Sequence, residues 1–478
     1  AAAVAALKRQ SDGKAEVLFY DSVVPGATLT AGLQKALDEA IAKLPIPKVM
    51  SYQLETDCEL PGWSSVHFVR PAHSLIALHG RDVVPVKALG LTASNTTQGH
   101  RFEAKVSPVV IHEADHYADT LREQGAVIAS FEARRQEIAQ QLQAAAAKVG
   151  GGVHAIDDPA LLDEVTALVE RPNVLICAFE KQFLDVPQEC LILTMKANQK
   201  YFPLLDAKGK LTHRFLVVSN ISPAEASAVI GGNERVVRPR LADAKFFFDQ
   251  DRKKTLVSRV PGLHQVVYHN KLGTQGARSE RVQAIAKGMA ALLPQGKDPA
   301  FVRAVETAAQ LAKTDLLTDM VGEFPELQGI MGGYYARHDG LGDEVAHAIE
   351  DHYKPRFAGD ELPRNTVGVI VALADKLETL VGMFGIGNLP TGDKDPFALR
   401  RHALGVMRML IEKDLPLDMG TLVQLALTAI EDNLSQQAQA SAAAAAWVKP
   451  VLEGMKPQAV IDAVLSFIFD RLAGSLRE

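Results

Sequence analysis

Cysteine is scarce in this chain of 478 residues: there are three, Cys58, Cys177 and Cys190. None stands in a C-x-x-C spacing, so neither a disulfide framework nor a zinc knuckle is expected, and a reducing compartment fits. Long apolar runs are also missing; none reaches the roughly 18 residues that a membrane helix needs. The opening AAAVAALKRQSDGKAEV places its charges after its apolar run, the wrong order for a signal peptide. An excess of positive charge is lacking as well. Lys and Arg number 51 against 57 Asp and Glu, a net charge of −6. That excludes a surface coated in nucleic acid everywhere. It leaves room for a local basic groove, because the relevant field acts within about 8–10 Å at physiological salt.

What is present reads as a globular protein: 47% apolar and 23% charged residues. The length suggests roughly three domains. Residues 28–44 have the pattern of an amphipathic helix stopped by Pro45 and Pro47. Residues 65–91 alternate short apolar runs with turns, the mark of strands. From Ile111 to Val149 the pattern is helical, with Asp115 or Asp119 as a cap and a glycine stop; 160–171 suggests another helix. NVLICAF, ECLILTM and RFLVVSNI read as strands, and a polar turn at 206–210 joins a hairpin. Beyond about residue 262 one helical pattern follows another, and 436–447 is alanine-rich. The fold class is therefore α+β and multidomain, an α+β part followed by an all-helical part.

Chemical motifs are few. His338-Asp339 is the tempting His-Asp doublet of a metal-dependent phosphohydrolase of the HD type, in which imidazole and carboxylate ligands converge from several helices. The glycines after it suggest a loop instead. GNLPTGDK at 387–394 fails as a phosphate-binding loop, because Asp393 displaces the lysine and would repel phosphate. His347 and His352 are five apart, a poor chelating pair on a helix. The cysteines lack a partner histidine in a catalytic context and read as small buried hydrophobes.

The stretch GNERVVRPRLADAKFFFDQDRKKTL, residues 232–256, holds seven Lys and Arg around three consecutive phenylalanines. A helix from about Leu241 would set Lys245, Asp249 and Lys253 on one face, each pair worth roughly 0.2–0.5 kcal/mol. Arg235, Arg238 and Arg240 would precede it, with Pro239 stiffening the approach. The three rings cannot share a face, so at least one is buried. The stretch is either a solvated helix or a phosphate-contacting surface, since guanidinium forks match phosphate oxygens. A second basic pair, Arg400-Arg401, lies in the first turns of a helix after Asp395-Pro396. Capping with a surface pair and RNA phosphate contact both fit it.

GNERVVRPRLADAKFFFDQDRKKTL followed by KLGTQGARSERV resembles the β subunit of the bacterial-type heterotetrameric glycyl-tRNA synthetase family. So do, in order, KLPIPKVM, FVRPAHSLIALHG, SNTTQGHRF, MKANQKYFPLLDAKGKL, DMVGEFPELQGIMGGYYA, HYKPRFAGDELP and GNLPTGDKDPFALRRHALGV. One segment departs from the pattern: SYQLETDCELPGW stands where the family usually carries a short RWGD-like piece. The resemblance implies a helical remnant or linker at 1–44 and an α+β module at 45–261 similar to the B3/B4 domain of phenylalanyl-tRNA synthetase, with a helical insertion at about 111–171. It further implies an HD-like helical domain at 262–415 and a helical connector at 416–478. On this view the chain is a fragment that lacks part of the family's N-terminus and its C-terminal anticodon-binding domain.

The same resemblance places Lys313-Thr314-Asp315 where the metal-binding doublet of an HD domain belongs, and Asp375 at the later aspartate. Lys and Thr cannot replace two imidazoles, so the implied domain is degenerate and holds no metal. No class I HIGH or KMSKS-like signature is found, nor a class II motif pair, which agrees with a family whose separate α subunit uses ATP and Mg²⁺. The expected role is then to bind tRNA(Gly) and position it for an α subunit in an α₂β₂ complex, in the cytoplasm or an organelle of bacterial descent. Arg235, Arg238, Arg240, Lys245, Arg400 and Arg401 are the expected tRNA contacts; no catalytic or cofactor-binding residue is expected. The rivals are a metal-dependent phosphohydrolase, a scaffold whose RNA contacts lie outside this chain, and a B3/B4-like editing activity, for which no hydrolytic constellation is visible.

Overall fold

The computed structural model describes residues 4–11, 13, 15–392 and 394–475. It is a mixed α/β protein, largely helical with small sheets, and divides into two compact units. The first comprises Ala1–Ile176 and Leu216–Ala228; the second comprises Cys177–Phe215 and Val229–Glu478.

Among its described residues the first unit has five short antiparallel strand pairs and four α-helices. Lys8–Ser11 pairs with Glu16–Phe19, and Met50–Gln53 with Ser65–Phe68. Leu78–His79, Lys87–Ala88 and Val109–Val110 pair with Asp82–Val83, Leu91–Thr92 and Thr96–Thr97. Helix α1 (Leu29–Ala42) starts at Thr28, whose hydroxyl accepts the Ala31 amide at 3.3 Å. The continuous helical pattern expected from Ile111 is broken in two: α2 (Tyr117–Glu123) and α3 (Phe131–Val149). At the break Ala126 takes a positive φ of 55°, which no right-handed helix continues. Ser130, rather than Asp115 or Asp119, caps α3. Helix α4 (Pro159–Leu168) begins with proline at its first position after Asp158. Ile111 is buried with Val109 and Leu121.

The second unit opens with a second departure from the sequence reading. ECLILTM is not a strand but the body of α5 (Gln188–Gln199), which buries Cys190, Leu191, Thr194 and Met195. Those positions repeat at helical spacing, a signal masked by the unbroken apolar run around them. After the strand Phe202–Leu205 the chain turns at Asp206, whose carboxylate accepts the Lys208 and Lys210 amides at 2.8 and 2.9 Å. Helices α6 (Ser227–Asp251) and α7 (Leu256–Arg259) follow. Next come α8 (Gln275–Leu292), α9 (Pro299–Leu311), α10 (Asp319–Glu323), α11 (Ile330–His338) and α12 (Asp343–Asp351). Then come α13 (Thr366–Gly385), α14 (Leu399–Glu412), α15 (Met419–Ala440), α16 (Ala442–Gly454) and α17 (Pro457–Ser475). Every residue of α13 from Val367 to Met383 is buried. A helix apolar on nearly all sides has to be surrounded, and α13 packs against α8, α9, α12, α14, α15 and α17. Asp375, Lys376 and Glu378 sit in that same buried stretch, so their charges must be answered from the neighbouring helices.

Candidate functional site

The basic stretch is one helix, and it starts earlier than its sequence suggested. Arg235, Arg238, Arg240 and Lys245 all lie on α6, which runs through Pro239 instead of beginning after it. A proline inside a helix removes one backbone hydrogen bond. The helix survives because both sides of Pro239 are tied to the rest of the unit. Val237, Leu241, Ala244 and Phe248 form a buried stripe at spacings of four, three and four. One turn earlier, Glu234 accepts the Ala178 amide at 2.8 Å and Asn233 accepts the Tyr201 hydroxyl at 2.8 Å. The phenylalanines divide as their geometry requires: Phe248 is buried and Phe246 is 57% exposed.

The outward charges of α6 differ in availability. Arg238 is paired with Glu180. Lys245 reaches Asp249 at 2.8 Å, and Asp249 takes Arg252 as its other partner in place of Lys253. Arg235 and Arg240 are exposed and engage no carboxylate among the described residues. Val236 and Phe246 on the same helix are also exposed.

At α14, Asp395 accepts the Leu399 and Arg400 amides at 2.8 and 2.9 Å, which satisfies the helix start. Arg400 donates to the Gly392 carbonyl at 2.5 Å and is half-buried, whereas Arg401 is exposed and has no ion-pair partner among the described residues. Asp393 lies outside the described residues.

Five buried charges of the second unit lie together. Arg278 and Arg281 on α8 meet Asp375 and Glu378 on α13. Arg278 lies 3.0 Å from Asp375 and 2.8 Å from Glu378, and Arg281 lies 2.7 Å from Glu378. Lys313, at the end of α9, brings its ammonium to 3.3 Å from Asp375 and 3.7 Å from the centre of the Tyr353 ring. Burial alone would raise the Asp375 carboxyl, but Arg278 and Lys313 hold it well below the usual carboxylate range. Burial lowers Lys313 to about 8 against the opposing pull of Asp375.

Asp315 turns away from this pair. Its Oδ2 accepts the Gly329 and Gly332 amides at 2.5 and 3.0 Å, and burial raises it to about 6. Glycine is required at both donors: Gly329 has φ of +82°, and a Cβ on Gly332 would meet Ile349 at 2.7 Å. His352 is buried, with Nδ1 2.5 Å from the Ile349 carbonyl, and burial with nearby Lys313 depresses it well below the usual imidazole range. Of the tempting doublet, His338 is exposed and Asp339 accepts the Leu256 amide at 2.7 Å, so Asp339 satisfies the first amide of α7, whose N-cap is Thr255. Among the described residues, no three His, Cys, Asp or Glu side chains gather as a ligand set. Cys177 and Cys190 are buried thiols pushed up to about 12 by desolvation, unsuited to nucleophilic work.

Sequence reasoning missed Arg278, Arg281 and Glu378. A signal was available: R-x-x-R in GARSERV and D-x-x-E in ADKLE have matching three-residue spacing on two helices. It also missed Asp251, a buried carboxylate that accepts the Asp319 and Met320 amides and the Tyr335 hydroxyl at 2.8, 3.0 and 2.7 Å.

Comparison with known proteins bears on these sites. The family model for the glycyl-tRNA synthetase beta subunit matches residues 1–478. The glycine–tRNA ligase beta subunit of Polaromonas naphthalenivorans is 72% identical over 477 residues, covering 100% of this chain and 63% of the relative. That of Paracidovorax citrulli is 70% identical over 479 residues, covering 100% and 64%. That of Dechloromonas aromatica is 66% identical over 482 residues, covering 100% and 64%. The chain thus spans a little under two thirds of the length of these relatives.

Proposed function

Since the chain belongs to the glycyl-tRNA synthetase beta-subunit family, we propose that it holds tRNA(Gly) so that a partner alpha subunit can attach glycine to it. The observation that carries this reading is the exposure of Arg235 and Arg240 on α6, neither of which engages a carboxylate among the described residues. Exposed, uncommitted guanidinium groups suit phosphate oxygens, and such contacts fix the register of a bound nucleic acid without reading its sequence. Arg238 and Lys245 join them once RNA phosphates compete with Glu180 and Asp249, and Arg401, with Arg400 beside it, supplies a second contact. Holding one reactant in place accelerates a reaction even when the holder forms no bond itself. ATP and Mg²⁺ are then used by the alpha subunit, and this chain contributes no catalytic residue.

The finer architecture belongs to the same reading. Residues 45–261 correspond to a B3/B4-like module with its insertion at about 111–171, and 262–415 to an HD-like helical domain that has lost its metal. Residues 1–44 are a linker, and 416–478 a connector toward an anticodon-binding domain. Lys313 beside Asp375, with Asp315 on backbone amides, supports the degenerate site: an ammonium stands next to the carboxylate that would otherwise face a cation. The assembly is α₂β₂ and cytoplasmic; no helix among the described residues is long and apolar enough to cross a membrane.

The test mixes this chain with the alpha subunit and tRNA(Gly) and follows glycylation. Replacing Arg235, Arg238 and Arg240 by Ala should raise the KM for tRNA while leaving the KM for glycine and ATP unchanged. Formation of glycyl-adenylate by the chain alone would overturn the division of roles.

A further inference from the structure

A cavity of about 550 Å³ in the second unit lies beside the buried charge set, between the start of α14 and the segments that follow α10 and α12. Its walls separate into committed and uncommitted groups. Lys354 and Arg356 line it but are engaged with Asp351 and Asp360 at 3.1 Å each. Arg401, His402, Tyr353, Gln328 and Glu326 line it with side chains that make no hydrogen bond or ion pair among the described residues. Tyr353 is rigidly placed: the Lys313 ammonium lies 3.7 Å from its ring centre and the His352 ring 3.9 Å away. His402 is lowered to about 4 by burial and by Lys376, so at neutral pH it is an uncharged ring.

We infer that this cavity binds one nucleoside monophosphate unit, an inference that rests for its RNA form on the tRNA-holding reading. The chemistry of the free groups selects the class. One uncommitted guanidinium answers one phosphate by a two-pronged contact. The neutral imidazole offers a stacking surface to a base, as sites for unpaired nucleotides do, and the Tyr353 hydroxyl, which has no partner among the described residues, offers it a hydrogen bond. A carboxamide and a carboxylate supply donors and acceptors for a base edge or ribose hydroxyls. The volume lies within the usual 300–1,000 Å³ range of small-ligand sites, roughly. A di- or triphosphate is disfavoured, because Glu326 and Glu350 both line the walls, Glu350 being held by Arg364 at 2.7 Å, and Arg401 is the one lining cation without an ion-pair partner among the described residues.

The unit could arrive free or as an unpaired nucleotide of bound RNA, and one set of titrations separates the sources. The full chain is titrated calorimetrically with AMP, GMP, CMP and UMP, with the matching nucleosides, and with inorganic phosphate. At least one mononucleotide should bind saturably and at least tenfold more tightly than its nucleoside. Arg401→Ala should remove that tenfold advantage without moving the melting temperature, and Gln328→Ala should change the preference among the four bases. Displacement of the mononucleotide by tRNA assigns the site to an RNA nucleotide; simultaneous binding assigns it to a free one. Absence of saturable binding by all four, or binding indifferent to Arg401→Ala, overturns the inference. Normal tRNA binding in that case leaves the tRNA reading intact, so the two fail separately.

Discussion

Two groups of arginines in the second unit share a chemistry and differ in everything else. Arg278 and Arg281 are buried and each is matched to acids on α13, whereas Arg235 and Arg240 on α6 are exposed and matched to nothing among the described residues. The difference lies in what each group gives up on changing partners. A buried guanidinium that lost its carboxylate would face an apolar interior, so its pairing is fixed at folding. An exposed one trades water for any anion of suitable shape at little cost, so it remains available for a ligand. The same residue type thus serves cohesion in one place and recognition in the other, and burial decides which.

The comparison can be broken most severely at Glu378, which answers both buried arginines at 2.8 and 2.7 Å. Glu378→Ala should cost about 3–5 kcal/mol of unfolding free energy, because it leaves guanidinium charge uncompensated in the interior. Urea unfolding measures this, and a loss under about 1 kcal/mol, the scale of an exposed pair, would show that the set contributes no more than a surface salt bridge.

A smaller effect sharpens the same point at Lys313. Burial holds its pKa at about 8, below the ordinary lysine value of 10.5. Between those values the unfolded chain binds the extra proton, so the contribution of this group to stability rises with pH across that window. Lys313→Met removes that rise. The stability advantage of the unaltered protein over the variant should therefore widen above pH 8, by at most roughly 1.4 kcal/mol per pH unit. A difference flat from pH 7 to 10 would mean that the ammonium is not desolvated beside Asp375.

The least effect on folding is expected at the exposed face. Arg235→Ala with Arg240→Ala should leave the melting temperature unmoved, since neither side chain has a carboxylate partner among the described residues to strand. A clear drop would place these arginines with the buried set.

The sequence revealed some of this and hid the rest for physical reasons. The helical second half was legible because apolar residues recur there at helical spacing over long stretches. The Asp206–Lys210 turn was legible because its residues make the turn themselves. Pro239 concealed the true start of α6, since a proline usually ends a helix; the buried stripe from Val237 to Phe248 overrides it. ECLILTM concealed α5 because a helix buried on much of its surface has the composition of an inner strand. In the candidate sites, Arg235, Arg238, Arg240 and Lys245 were identifiable as a cluster, but not which of them were already paired. Glu180 lies 58 positions from Arg238, and no local pattern announces that contact. The proximity of Lys313 to Asp375 likewise depends on the packing of α9 against α13.

The exposed arginines of α6 are expected to meet phosphate. Equilibrium binding of tRNA(Gly) should be measured between 50 and 200 mM salt for the unaltered chain and for the Arg235→Ala, Arg240→Ala double variant. The slope of log K against log salt should become shallower by roughly 1–2 in the variant, reflecting the phosphate contacts removed. Parallel lines with equal affinity would contradict it.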